Sequence, residues 1–245
     1  MAIYEREHEY IRLLSEREWS VKELSARLFI SEPTVRRDLV RLREKELVSC
    51  TNGVVRLKTS SPDRRIPMFL RDSAHREEKD RIAQKAVQMI HDGDVVMLDA
   101  SSTALCILPH LSGFRDLFVI TSGAKAALTL ADMGIRTLCV GGEMIAESFS
   151  YIGPDAERTL QNYNADVAFF SCLGLGENGL ASDSSIMENR IRQIMIQRAK
   201  RRYLLCDSSK LGQMYLHTLC HVGELDGVIC EGSVAAPLAQ QGKFL

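Results

Sequence analysis

The chain has 245 residues, 45% of them hydrophobic and 26% charged, with a formal net charge of −1. That is the make-up of a globular protein with one large domain or two unequal ones, and it excludes a disordered or collagen-like chain. Charge by itself identifies no partner: residues 1–58 sum to +2 and residues 59–245 to −3, so any nucleic-acid reading has to rest on pattern.

In chain order, residues 3–16 place Ile3, Tyr10, Ile11, Leu13 and Leu14 between charges, the one-sided spacing of a helix. Ser20-Val21-Lys22-Glu23 is a capping box that opens a second helix through Leu24 and Leu28. Ser31-Glu32-Pro33-Thr34 opens a third, with Ser31 as N-cap and proline tolerated in the first turn. That helix runs from Glu32 to Lys45 with Val35, Leu39 and Leu42 on one face. Residues 47–55 read as two short strands around Asn52-Gly53, a strong hairpin signal. Residues 59–65, Thr-Ser-Ser-Pro-Asp-Arg-Arg, have linker composition. Ile82, Ala83, Ala86, Val87 and Ile90 predict a helix over 77–90.

From there the chain alternates. Apolar strand-like runs occupy 95–98, 117–120, 136–140, 166–170, 203–206 and 227–230, with helical stretches at 102–111, 124–132, 155–162 and 187–199. The alternation predicts an α/β domain with a mostly parallel sheet covered by helices. The seven cysteines are scattered, with no Cys-x-x-Cys, and read as core residues of a reducing compartment. No apolar run approaches the ~18 residues of a membrane span, and the N-terminus is charged from Glu5 on, so a soluble, cytoplasmic protein is expected.

Three short helices and a hairpin within the first 57 residues predict a winged helix-turn-helix. Its second helix enters the major groove with its first residues near base edges. Ser31, Thr34, Arg36, Arg37 and Arg41 lie off the apolar stripe and are the candidate contacts to double-stranded DNA. Arginine suits both guanine edges and phosphates. The bland alternative is a solvated amphipathic helix in a small helical cap.

Residues 31–39, Ser-Glu-Pro-Thr-Val-Arg-Arg-Asp-Leu, resemble the recognition helix of the DeoR family of bacterial transcription regulators. The resemblance runs on through Arg71 and Glu78-Lys79-x-x-Ile82-Ala83. Asp99 with Ser102-Thr103, Thr121-Ser122, Gly141-Gly142, Gly153, Asp166, Gly179-Leu180 and Asp207-Ser208-Ser209-Lys210 then follow in order. It implies a winged helix-turn-helix domain over 1–57, a linker over 58–74 and an effector-binding α/β domain over 75–245. The last is similar in fold to ribose-5-phosphate isomerase. It further implies a repressor of carbohydrate-metabolism genes that binds a phosphorylated sugar or related metabolite at Asp99, Ser101, Ser102, Thr103, Thr121, Ser122, Gly141, Gly142 and Lys210. A homo-dimer or homo-tetramer is expected, since one short recognition helix offers too little interface and symmetric operators suit paired helices. The chain departs from the family in its wing, Ser49-Cys50-Thr51-Asn52-Gly53-Val54, which lacks the usual basic residue and His-Gly-Gly. It also has Ala100-Ser101 where the family has glycine, and Ser122 where it has asparagine.

The residues support the same reading directly. Hydroxyls and free backbone N–H groups at a strand-to-helix loop suit an anion, and Ser101, Ser102 and Thr103 are so placed. Lys210, just past the strand at 203–206, adds a positive charge from a neighbouring strand end. The alternative for each is a helix cap or a solvated lysine. Isomerisation would need acids where the strand at 166–170 ends, but Ser171-Cys172-Leu173-Gly174 has none, and Glu188 stands alone. No enzyme, cofactor or metal is expected. The remaining alternatives are a sugar-phosphate enzyme with an accessory DNA-binding domain, and an orphan regulator without a ligand. Three further motifs read as structural. Gly174-x-Gly-x-x-Gly179 lacks the helix that a dinucleotide fingerprint opens. His217 and His221 lack third and fourth metal ligands. Lys200-Arg201-Arg202 is expected to be a solvated helix end.

Overall fold

The computed structural model describes residues 6, 7, 9, 10, 13, 14, 17–44, 47–57 and 68–245. Two compact units emerge: Met1–Ser61 with Phe69–Ala74, and Pro62–Met68 with His75–Leu245. The proposed linker segment at 59–65, with Ile3, Ile11 and Lys45, lies outside the described residues.

In the smaller unit the strand β1 (Trp19–Ser20) leads into a helix at Val21–Leu28. Ser20 Oγ accepts the Glu23 N–H at 3.2 Å, and Glu23 Oε2 accepts the Ser20 N–H at 2.7 Å, which completes the predicted capping box. Phe29 ends this helix in a left-handed conformation (φ 55°). The next helix, Glu32–Glu44, buries Val35, Leu39 and Leu42 against Tyr10, Leu13, Leu14 and Leu24. The hairpin follows as β2 (Val48–Thr51) and β3 (Val54–Leu57). Its turn uses Asn52 at φ 52° and Gly53 at φ 77°, the positive pair that a two-residue hairpin turn requires. β1 adds to this hairpin through Trp19↔Val55, a third strand that the sequence pattern did not disclose.

The larger unit is built on a six-stranded parallel sheet in the order β14-β12-β9-β4-β5-β6. Its strands are β4 (Val95–Leu98), β5 (Phe118–Thr121), β6 (Arg136–Cys139), β9 (Ala165–Ser171), β12 (Ala199–Leu205) and β14 (Gly227–Ile229). The apolar runs are continuous because both faces are covered. Along β9, Val167 and Phe169 enter the core shared with the helix Arg76–Ala86, while Ala168 and Phe170 enter the core shared with the helix Ile186–Arg198. A hairpin of β7 (Glu143–Ile145) and β8 (Ser150–Ile152), and a small antiparallel sheet of β10 (Gly174–Leu175), β11 (Leu180–Asp183) and β13 (His217–His221) in that order, complete this unit.

The chain leaves β4 toward β5 and β6 on one side and later returns to lay β9 on the other. The carboxyl ends of β4 and β9 therefore flank a topological switch point, where open α/β sheets collect ligands.

Candidate functional site

Two sites follow from these elements, one in each unit. On the helix Glu32–Glu44 the residues off the apolar stripe face outward. Ser31, Arg36 and Arg37 are exposed, and Thr34 and Arg41 are half-buried. The Ser31 hydroxyl meets that of Thr34 at 2.9 Å, and Arg36 makes a loose 3.5 Å pair with Glu32. Among the described residues Arg37 and Arg41, one turn apart, pair with no acid. Asp38, on the inner side, is buried and receives Arg6 Nε at 2.9 Å and the Tyr10 hydroxyl at 3.4 Å. The helix thus fixes its inward acid to its own domain and leaves Arg37 and Arg41 without an acid partner among the described residues. Arg56 in the wing is held by Glu18 at 2.6 Å.

In the larger unit the switch point is stitched by one carboxylate. Asp99, directly after β4, is 2% exposed. Its Oδ1 accepts the Ser101 N–H at 3.1 Å and the Ser101 hydroxyl at 2.5 Å. Its Oδ2 accepts the Ser171 N–H from the end of β9 at 3.2 Å and Arg192 Nε at 2.9 Å. Arg192, from the helix Ile186–Arg198, also donates Nη1 to Asp183 at 2.8 Å and to Asn189 at 3.2 Å. Burial opposes the charge on Arg192, but Asp183 and Asp99 outweigh it and hold the guanidinium above its ordinary pKa. Ser101 is in turn the N-cap of the short helix Ser102–Leu105, its hydroxyl accepting the Ala104 N–H at 3.1 Å.

Lys210, three residues past Asp207 at the end of β12, reaches across to this loop. Its Nζ lies 2.8 Å from Ser171 Oγ, 3.5 Å from Thr103 Oγ1 and 3.2 Å from Asp207 Oδ2. Burial pulls the Lys210 ammonium down, but the carboxylate of Asp207 raises it past its ordinary value. Burial pushes the Asp207 carboxyl up, and Lys210, the Ser209 hydroxyl and Lys79 bring it below the usual range. The charge beside the hydroxyls of Ser171 and Thr103 is therefore fixed across the ordinary pH range.

The structure brings Asp99, Ser101, Ser102, Thr103 and Lys210 together, with Thr121 and Ser122 one strand along at the end of β5. Thr121 Oγ1 accepts the Gly123 N–H at 3.0 Å. Gly123 in turn packs on Ala100, where a Cβ would lie 3.1 Å from the Ala100 Cα, so the alanine is housed by a neighbouring glycine. Gly141 and Gly142 follow β6, four strand places from β12. Gly142 (φ 100°) lies so close to the Ile152 carbonyl that a Cβ would come within 2.6 Å, so it serves to seat the β7–β8 hairpin. Asp99 and Ser101 spend their hydrogen bonds on the loop, the end of β9 and Arg192, whereas the Ser102 and Ser122 hydroxyls make none among the described residues. Sequence reasoning missed Arg192, Asp183 and Ser171. The available signal was an arginine falling on the face of the helix that carries Ile191, Ile194 and Met195 into the core.

Gly174-Leu175 forms the strand β10, which turns at 177–178 into β11 (Leu180–Asp183), so no helix follows the glycine motif. His217 and His221 lie on β13 (His217–His221), not on a helix. No group of three metal-ligating side chains occurs among the described residues. Lys200, Arg201 and Arg202 correct the expectation of a helix end: they open β12 and are paired with Asp166, Asp94 and Asp226. None of the seven cysteines is in a disulfide, and no described helix is long and apolar enough to cross a membrane.

Comparison with known proteins agrees with this layout. Residues 8–61 match the DeoR-like helix-turn-helix domain, and residues 74–232 match the DeoR C terminal sensor domain. The HTH-type transcriptional repressor GlcR of Bacillus subtilis is 32% identical over 86% of this chain and 81% of its own length. The lactose phosphotransferase system repressor of Staphylococcus epidermidis is 30% identical over 94% of this chain and 92% of its own. Among solved structures, Pyrococcus horikoshii translation initiation factor eIF-2B aligns at TM-score 0.53 and 13% identity, over 96% of this chain and 90% of that one, a likeness of fold alone. Ribose 5-phosphate isomerase A of Methanocaldococcus jannaschii aligns at TM-score 0.43 and 20% identity, over 56% of this chain and 55% of that one. A sensor-domain match across more than half of the chain, preceded by a matching reading head, makes this protein a member of the DeoR family of transcription regulators.

Proposed function

We propose that the protein represses carbohydrate-metabolism genes by binding operator DNA through residues 1–57, and that a phosphorylated sugar or related metabolite controls it through residues 75–245, with 58–74 as the connector. The observation that carries the reading is Lys210, anchored by Asp207 and set against the hydroxyls of Ser171 and Thr103 at the switch point. A fixed cation beside hydroxyls at strand ends suits an anionic group on a small polar ligand. Relatives named as repressors of sugar systems support the carbohydrate assignment. Arg37, Arg36, Ser31 and Thr34 would approach base edges, with Arg41 farther along on the phosphate backbone. Two copies would engage a symmetric operator, since one short helix offers little interface. The cytoplasm is the compartment for this role. The reading is non-enzymatic: β9 ends at Ser171-Cys172 without the acids that proton abstraction from a sugar would need.

Two substitutions test the division of labour. With DNA selected from a random-sequence library, Arg37→Ala should weaken binding tenfold or more, roughly the worth of one good bidentate contact. Its sensor domain should still fold by circular dichroism. Lys210→Ala should bind the same DNA as the parent yet lose its response to phosphorylated sugars. Unchanged DNA affinity in the first variant, or an undiminished response in the second, would overturn the assignment it tests.

A further inference from the structure

The larger unit also holds polar side chains that no described protein group satisfies. The Ser148 hydroxyl is buried with no hydrogen-bond partner, in a residue only 4% exposed. The Glu188 carboxylate, in a residue 8% exposed, makes no hydrogen bond or ion pair with any described group, and it adds to the charges that favour the Arg192 guanidinium one turn on. The hydroxyls of Ser102 and Ser122, in residues 6% and 2% exposed, make no hydrogen bond among the described residues. Buried polar groups are ordinarily hydrogen-bonded, so the Ser148 hydroxyl calls for an explanation.

These side chains lie along one path through the structure. Ser102 follows β4, and Ser122 follows the adjacent β5. The turn carrying Ser148 is pinned there by Tyr151 N–H to the Ser122 carbonyl at 2.7 Å and Ala124 N–H to the Phe149 carbonyl at 2.9 Å. The helix Ile186–Arg198 packs against β8 in the same hairpin, and its Arg192 returns to Asp99. The path returns to Asp99, whose loop carries Thr103, 3.5 Å from Lys210 Nζ.

We propose that Ser148 and Glu188 form a hydroxyl-reading subsite of the effector site, which selects an anion that also carries several hydroxyls over a bare anion. The proposal rests on the reading of Lys210 and residues 99–103 as an effector site. A carboxylate accepts hydrogen bonds from ligand hydroxyls, and a serine can donate or accept, so both discriminate by the position of each hydroxyl. A site built around buried polar groups rejects a ligand that leaves them unpaired.

Calorimetric titration of the full-length chain tests this with inorganic phosphate, glycerol 3-phosphate, ribose 5-phosphate and glucose 6-phosphate as probes. The parent should bind at least one sugar phosphate tighter than inorganic phosphate. Glu188→Gln should weaken that sugar phosphate about tenfold, and Ser148→Ala about threefold, with inorganic phosphate unchanged. Lys210→Met should weaken both kinds of probe. The selectivity ratio is the deciding readout, because general damage to the fold would lower both affinities together. If both subsite variants keep the parent's ratio while Lys210→Met loses binding, the subsite is wrong and the effector site stands. If the parent binds none of the probes, the effector site itself is overturned, and the subsite with it.

Discussion

Arg192 is the residue on which the geometry of the switch-point loop turns. Placed between Asp99 and Asp183, it ties the loop after β4 to the helix Ile186–Arg198. Removing one partner from a buried pair leaves an uncompensated charge, so Arg192→Met should cost about 3–5 kcal/mol in chemical unfolding. Arg192→Met combined with Asp99→Asn should recover part of that loss, because one stranded carboxylate is then neutral. A single variant within about 1 kcal/mol of the parent would mean that the pair contributes little. Asp207 and Lys210 make a second prediction, through pH. Asp207 is held below its ordinary pKa, so its stabilisation is present above the unfolded value of about 3.9 and is lost as pH falls through the lower folded value. Lys210 is held above its ordinary pKa, so its share is present below about 10.4 and is lost only as pH rises through the higher folded value. Asp207→Asn should therefore lose less stability than the parent between pH 6 and pH 3. Parallel acid limbs for the two proteins would contradict the pairing.

Among elements, the helix Val21–Leu28 depends most visibly on its cap. At eight residues it is too short to persist on propensity alone, and the reciprocal Ser20–Glu23 bonds satisfy two orphan donors at its start. The Ser20 N–H and hydroxyl hold the Glu23 carboxyl down to about 2, so the box stays intact through ordinary acid conditions. Ser20→Ala should lower the stability of the smaller unit by about 1 kcal/mol in a thermal melt, and Ser20→Asp should restore most of it. This cap was readable in the sequence because its two partners are three residues apart. The strands of the parallel sheet were readable for a related reason, since burial on both faces leaves unbroken apolar runs such as Val95–Leu98. The short strands at 19–20, 143–145, 150–152 and 217–221 were not, because they carry polar residues and are defined by partners far along the chain. The stretch at 102–111 breaks into Ser102–Leu105 and a tighter turn from Leu108, as Pro109 interrupts the α-helical hydrogen bonds. The site divides in the same way. Asp99 to Thr103 is a local motif, while Arg192 lies 93 residues from Asp99 and announces itself only through the fold.

At the scale of the whole molecule, a chain of net charge −1 has to hold polyanionic DNA with a few placed cations. The salt dependence of binding counts them. Each phosphate neutralised contributes about 0.9 to the slope of log affinity against log salt. Arg41 lies beyond the first turns of the recognition helix and pairs with no acid among the described residues, which suits it to the DNA backbone rather than to base edges. If two copies engage one operator, Arg41→Ala removes two phosphate contacts per complex, and the slope should become shallower by about 1.8. A change of about 0.9 would mean that a single reading head is engaged and would sink the paired arrangement. An unchanged slope would remove Arg41 from the phosphate contacts. The same titration with Arg37→Ala separates the two arginines by role. A base-reading Arg37 should lose affinity for the preferred DNA while keeping the parent's slope, because base contacts release few counterions. Together the two slopes would establish how one near-neutral chain divides its few free cations between holding DNA and reading it.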